Sequence, residues 1–199
     1  MTTRKKSTLK LTQLGILFAL VVVLQSVSSF GVINICLCLV PITLGAMLFN
    51  WKGGLALGVA FGAVAVLWGI VGKDVFTMYL FQANPIMTIL ICILKGAAAG
   101  VVPALVYGLL IKCNCKDIVA AVIASISAPI ANTGVFTIGC LLIKEDIINV
   151  SSTLGLPVEN FVYLLFAILI GTNFFVELAV NAIFSPALGR LVKILKKDR

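Results

Sequence analysis

The stretch at residues 120–143 is long enough to cross a lipid bilayer, yet Pro129 interrupts it in the middle. A proline inside a lipid-embedded helix cannot donate to the carbonyl one turn earlier, and such a freed group persists only where protein, water or ligand satisfies it. Asn132 and Thr133 follow at once, in a stretch otherwise made mostly of Ala, Ile and Val. Two hydrogen-bonding side chains beside a freed carbonyl suit the lining of a cavity. A kinked helix whose Asn bonds a neighbouring helix satisfies the same pattern.

Composition fixes the class. With 61% hydrophobic and 11% charged residues and a mean hydropathy of +1.20, a chain of 199 residues reads as an integral membrane protein. It has no histidine, and its six cysteines lie mostly in or beside apolar runs, where Cys behaves as a small hydrophobe. All six read as free thiols, and neither a metal site nor a cofactor is expected. Cys113 and Cys115 are separated by a single residue, which is not the spacing of a zinc or thioredoxin motif.

In order, the chain offers a basic tail at 1–10 and six expected spans at about 11–28, 37–50, 53–72, 86–111, 117–143 and 159–195, forming one transmembrane domain over 1–199. The second enters as an irregular segment containing Asn34 and Pro41, and Trp51-Lys52 marks an interface. Gly54, Gly58 and Gly62 form a small-residue stripe that lets another helix approach the backbone closely. Two polar loops are expected. One runs from Lys73 through Tyr79 and Asn84 to Pro85, and the other covers 144–157.

Six spans place both termini on one side of the membrane, and the positive-inside rule makes that side cytoplasmic. So arranged, twelve of the fifteen cations fall inside, and only Lys73 and Lys144 fall outside. The +8 net charge is thus topological, and no nucleic-acid partner is expected. Counting at 1.5 Å per residue from the cytoplasmic cation of each span brings Gln25, Trp68, Lys95, Asn132 and Asn173 to one layer, about 22–26 Å deep. Such a layer beneath two polar outer loops reads as a binding pocket with a lid. Lys95 and Glu177 are its costliest neighbours, each about 2.5–3.5 kcal/mol unfavourable at a helix centre. They read either as a structural ion pair or as groups that meet a ligand, with Lys95 taking an anionic group.

The chain carries no phosphate-binding loop and no histidine for general-base work, so no enzyme is expected. A binder of this kind needs its energy from elsewhere. Gly15 and Ala19, at small-xxx-small spacing near the cytoplasmic end of the first span, offer a face for a partner helix.

Nearly the whole chain resembles the substrate-binding S components of energy-coupling factor (ECF) vitamin transporters. The likeness rests on the order of loose motifs: the basic start with a small-residue first span, Pro41-Ile42-Thr43-Leu44-Gly45 running to Gly54 and Gly58, Pro129-Ile130-Ala131-Asn132-Thr133, and Asn173-Phe174-Phe175-Val176-Glu177 before a basic end. The pantothenate-type and related branches are nearest. The resemblance implies an all-α bundle of six helices in a bacterial plasma membrane, binding one vitamin near the outer surface under loops one, three and five. It also implies a transmembrane coupling subunit and two cytoplasmic ATPases as partners. One departure is the first-span face, Gly15 and Ala19, where the family often has alanines. A pantothenate-like carboxylate would suit Lys95. A small secondary transporter and a membrane scaffold stay open as alternatives, although no internal repeat of the kind common in such carriers is visible.

Overall fold

A computed structural model describes residues 3–30, 33–34 and 37–197. The described chain is helical apart from its connecting turns and one short antiparallel pairing of two two-residue strands. Helix α1 spans Thr3–Ser28 and leads through β1 (Ser29–Phe30) and β2 (Ile33–Asn34) to α2, Leu39–Val71. Helices α3 (Val75–Ala83), α4 (Pro85–Lys112), α5 (Asp117–Leu142) and α6 (Lys144–Thr153) follow. The chain ends with the single turn α7 (Phe161–Tyr163), a π-helical segment over Leu164–Gly171, and α8 (Thr172–Lys197).

Five helical stretches are long and apolar enough to cross a membrane: Thr8–Val27, Leu39–Val71, Pro85–Lys112, Asp117–Leu142 and Phe161–Lys196. The second of them is not straight. Asn50 adopts the left-handed region at φ 60°, ψ −165°, which breaks the hydrogen-bond ladder and reverses the chain. A Cβ on Gly54 would lie 3.0 Å from the Ala46 methyl, and one on Gly45 would strike the Leu57 side chain. Residues eight and twelve apart in one straight helix would be about 12 and 18 Å apart along its axis. Residues 39–49 and 51–71 are therefore two arms folded against each other. The first arm, at eleven residues, is only about 16 Å long and does not cross a bilayer by itself.

The glycine stripe decides how the second arm meets α4. A Cβ on Gly54, Gly58 or Gly62 would land on the backbone carbonyl of Gly100, Gly96 or Cys92 respectively, and a Cβ on Gly96 or Gly100 would land on that of Gly58 or Gly54. The two helices thus run antiparallel in backbone contact, which only residues without side chains permit. Helices α5 and α8 form a second antiparallel pair. Asn132 meets Glu177 at one level, and Gly189 meets Ala121 and Ile118 at another. Glu177, Asn181 and Ser185, spaced every four residues on α8, are buried. Asn181 Nδ2 donates to the Glu177 carbonyl at 2.9 Å, and Ser185 Oγ donates to the Ala182 carbonyl at 2.6 Å. Pro186 cannot donate to that Ala182 carbonyl, so the serine supplies the missing bond.

Large apolar side chains such as Leu11, Val71, Leu109, Leu142 and Ile183 face outward, while Asn, Glu, Thr and Ser collect inside. The interior also holds three apolar clusters, so it is the large outward apolar surface that departs from a soluble domain and suits a protein solvated by lipid. Helix α1 packs chiefly on α2, and among its described side chains, residues 8–27, it buries Leu17, Val21 and Gln25. Five cysteines are free thiols; Cys36 lies outside the described residues.

Three local expectations change. Helix α5 runs through Pro129 without a break, and the carbonyl that the proline leaves unbonded is that of Ser125, about two helical turns before Asn132 and the cavity described below. The two polar connections are largely helical, as α3 and α6. Asp74 caps α3 by accepting from the Thr77 amide at 3.1 Å, so a segment rich in loop-type residues still nucleates a helix.

Candidate binding cavity

The connectivity brings the C-terminal ends of α1, α2 and α5, the N-terminal ends of α3 and α4, and the start of α8 to one end of the bundle. A cavity of about 90 Å³ opens there. Gln25 contributes from α1, Lys95 from α4, Asn132 and Thr133 from α5, and Asn173 and Glu177 from α8. Six of the ten residues singled out from the sequence thus line one space, although they are spread over more than 150 positions of chain.

Each side chain is set by identifiable contacts. The close approach of Gly58 and Gly62 to α4 carries Lys95 beside the second arm of α2, with Nζ 6.0 Å from the Phe61 ring centre and 5.2 Å from that of Phe136. Cations are attracted to ring faces at such distances. Gln25, 6% exposed, is anchored by the Cys38 thiol, which donates to Oε1 at 3.2 Å. Glu177, 4% exposed, accepts from Asn132 Nδ2 at 3.5 Å. Oδ1 of Asn132 is buried without a partner, as is Oδ1 of Asn173.

Four sequence-named residues are not in the lining. Trp68 lies beneath Lys73, whose Nζ is 4.5 Å from the ring centre and also donates to the Ser26 carbonyl. Depths counted from the cytoplasmic cations place Lys52 and Lys112 at one level. The Gly54–Gly100 crossing instead brings Lys52 level with Val102, ten residues or about 15 Å from Lys112. Phe61 therefore reaches the height of Lys95, and Trp68 lies beyond it. Tyr79 packs against the apolar cluster of α3, α6 and the π-helical segment. Asn84 caps α4, accepting from the Met87 amide at 3.3 Å while donating to Asp146 at 3.0 Å, with Pro85 at the first helical position where its missing N–H is harmless. Asn34 falls in β2, and its side chain lies outside the described residues.

The lining also holds residues that the depth count could not reach. Asp74, 6% exposed, accepts from the Thr77 hydroxyl at 2.7 Å as well as from its amide. Thr77 and Phe76 sit beside it on α3, and Leu169 and Ile170 enter from the π-helical segment, a distortion that recurs at functional sites. An acidic residue directly before a helix was the one available signal for Asp74.

The cavity is smaller than the roughly 300–1,000 Å³ of pockets that enclose drug-sized ligands, so a molecule with more than a few heavy atoms requires the walls to move apart. Two of those walls belong to α3 and the π-helical segment, and α6 packs behind them through Ile147 and Val150. Gly15 and Ala19 lie exposed on the far part of α1, and nothing comes within 4 Å of a Cβ placed on Gly15. No protein-family model, curated protein or solved structure matches the chain.

Proposed function

We propose that this protein is the membrane-embedded binding subunit for uptake of a small water-soluble molecule, of the ECF S-component type. The observation that carries the reading is the meeting of polar side chains from α1, α4, α5 and α8 around one cavity inside an otherwise apolar bundle, with two buried amide oxygens unmet. Buried acceptors are ordinarily satisfied, and a bound solute supplies donors for them.

In this reading the two arms of α2 count as separate membrane segments, giving six. Both termini and the 113–116 turn are cytoplasmic, Lys52 lies at the α2 reversal about 15 Å deeper from that side, and the cavity end faces outward in a bacterial plasma membrane. The exposed Gly15–Ala19 face of α1 takes a coupling subunit that carries two ATPases. Lys95 meets an anionic group of the substrate, a vitamin-like carboxylate being the lead. Copurification from the native membrane tests the reading: ATPase subunits should accompany the tagged protein, and native mass spectrometry should find a retained small molecule. A protein that brings down neither is a scaffold, and one that transports alone in vesicles is a secondary carrier.

A further inference from the structure

We infer that the molecule held in the cavity carries an ammonium group, so that a carboxylate alone is not what the site recognises. This rests on reading the cavity as a ligand site and concerns the chemistry of the ligand.

The ionisable groups of the lining are Lys95, Asp74 and Glu177, one cation against two anions, so their formal charge is negative. The unmet hydrogen-bonding groups have the same polarity. An ionised carboxylate only accepts hydrogen bonds, so Glu177 obliges the Asn132 amide to turn its N–H toward it and leaves Oδ1 without a donor. Asn132 is 7% exposed, too buried for bulk water to serve that oxygen. Asn173 Oδ1, four residues from Glu177 on the same helix, is in the same state. Asp74 accepts from Thr77 at both oxygens and adds its charge to the site.

A carboxylate brings no donor and would set further negative charge against these oxygens. An ammonium brings three donors and the compensating charge.

Three compounds of matched size and a few heavy atoms separate the possibilities: β-alanine, propylammonium and propionate. Each is added at millimolar concentration to the purified protein in detergent, and the thermal unfolding midpoint is measured. Both ammonium compounds should raise the midpoint and propionate should not. A shift with β-alanine alone means that both charged ends are required, and equal shifts with β-alanine and propylammonium mean that the amine suffices. Stabilisation by propionate with none from propylammonium overturns the inference and leaves the binding function standing. Silence from all three, with no small molecule retained in native mass spectrometry, removes both. Asn173→Leu should abolish the propylammonium shift, and Asn173→Asp should tighten propylammonium at least fivefold. If Asn173→Leu does not fold, Asn173→Asp carries the test, and unchanged affinity there overturns the inference.

Discussion

Asn132 on α5 and Glu177 on α8 meet across the helix interface at 3.5 Å, amide nitrogen to carboxylate oxygen. This contact joins the two helices at the cavity, where Gly189 packs on Ala121 and Ile118 farther along the same interface, and it turns the amide nitrogen toward the carboxylate. One hydrogen bond therefore belongs both to the packing of the bundle and to the polarity of its cavity.

If Lys95 contacts an anionic group of the ligand, Lys95→Met should weaken binding more than Asn132→Ala or Asn173→Ala. Charge-assisted bonds are worth about 1.5–3 kcal/mol against about 0.5–1.5 for neutral ones. Calorimetric titration with the molecule recovered from the native membrane measures the order. If Lys95 and Glu177 serve only the fold, each single change destabilises it by stranding a charge, and Lys95→Met with Glu177→Leu restores it with affinity intact.

The α2–α4 crossing should be intolerant of any side chain. Gly58→Ala and Gly96→Ala each press a methyl group onto a backbone carbonyl and should cost about 1–3 kcal/mol. Gly108→Ala and Gly134→Ala, where nothing lies within 4 Å, should fall within about 0.5 kcal/mol of the parent. Unfolding by denaturant in mixed micelles compares them, and equal losses at all four positions would refute the backbone contact.

Gly15→Leu or Ala19→Leu should abolish uptake by cells while the isolated protein binds its ligand normally. The positions are exposed and lie about 9–15 Å along α1 from Gln25. Binding lost together with uptake would place this face in the protein's own core.

In a cysteine-free background, Lys112→Cys and Lys196→Cys should resist an impermeant thiol reagent added to intact cells, whereas Lys73→Cys and Lys144→Cys should react. The expectation follows from the twelve-to-two cation split. The opposite labelling pattern would invert the bundle and turn the cavity toward the cytoplasm.

The sequence by itself determined the lipid-facing character, the long apolar helices, the small-residue contact face on α2 and most of the polar residues that meet in the cavity. Those features are set by periodicity, by the cost of polar groups in hydrocarbon and by helix length, all of which are local. Four of the five residues expected in one layer, Gln25, Lys95, Asn132 and Asn173, line the cavity because their helices start from comparable levels. Trp68 does not, because the level at which α2 begins is set by the reversal at Asn50 and by the Gly54–Gly100 contact. Neither constraint is visible from residue spacing along one helix. The same applies to Asp74, whose place in the cavity depends on α3 folding as a helix and docking against α2 and α4. Only the tertiary structure decided that the amide oxygen of Asn132, and not its nitrogen, is left unmet, since that follows from a carboxylate 45 residues away in sequence. Hydrogen-bond polarity in a buried site is a property of pairs, and the pairs exist only once the helices have packed.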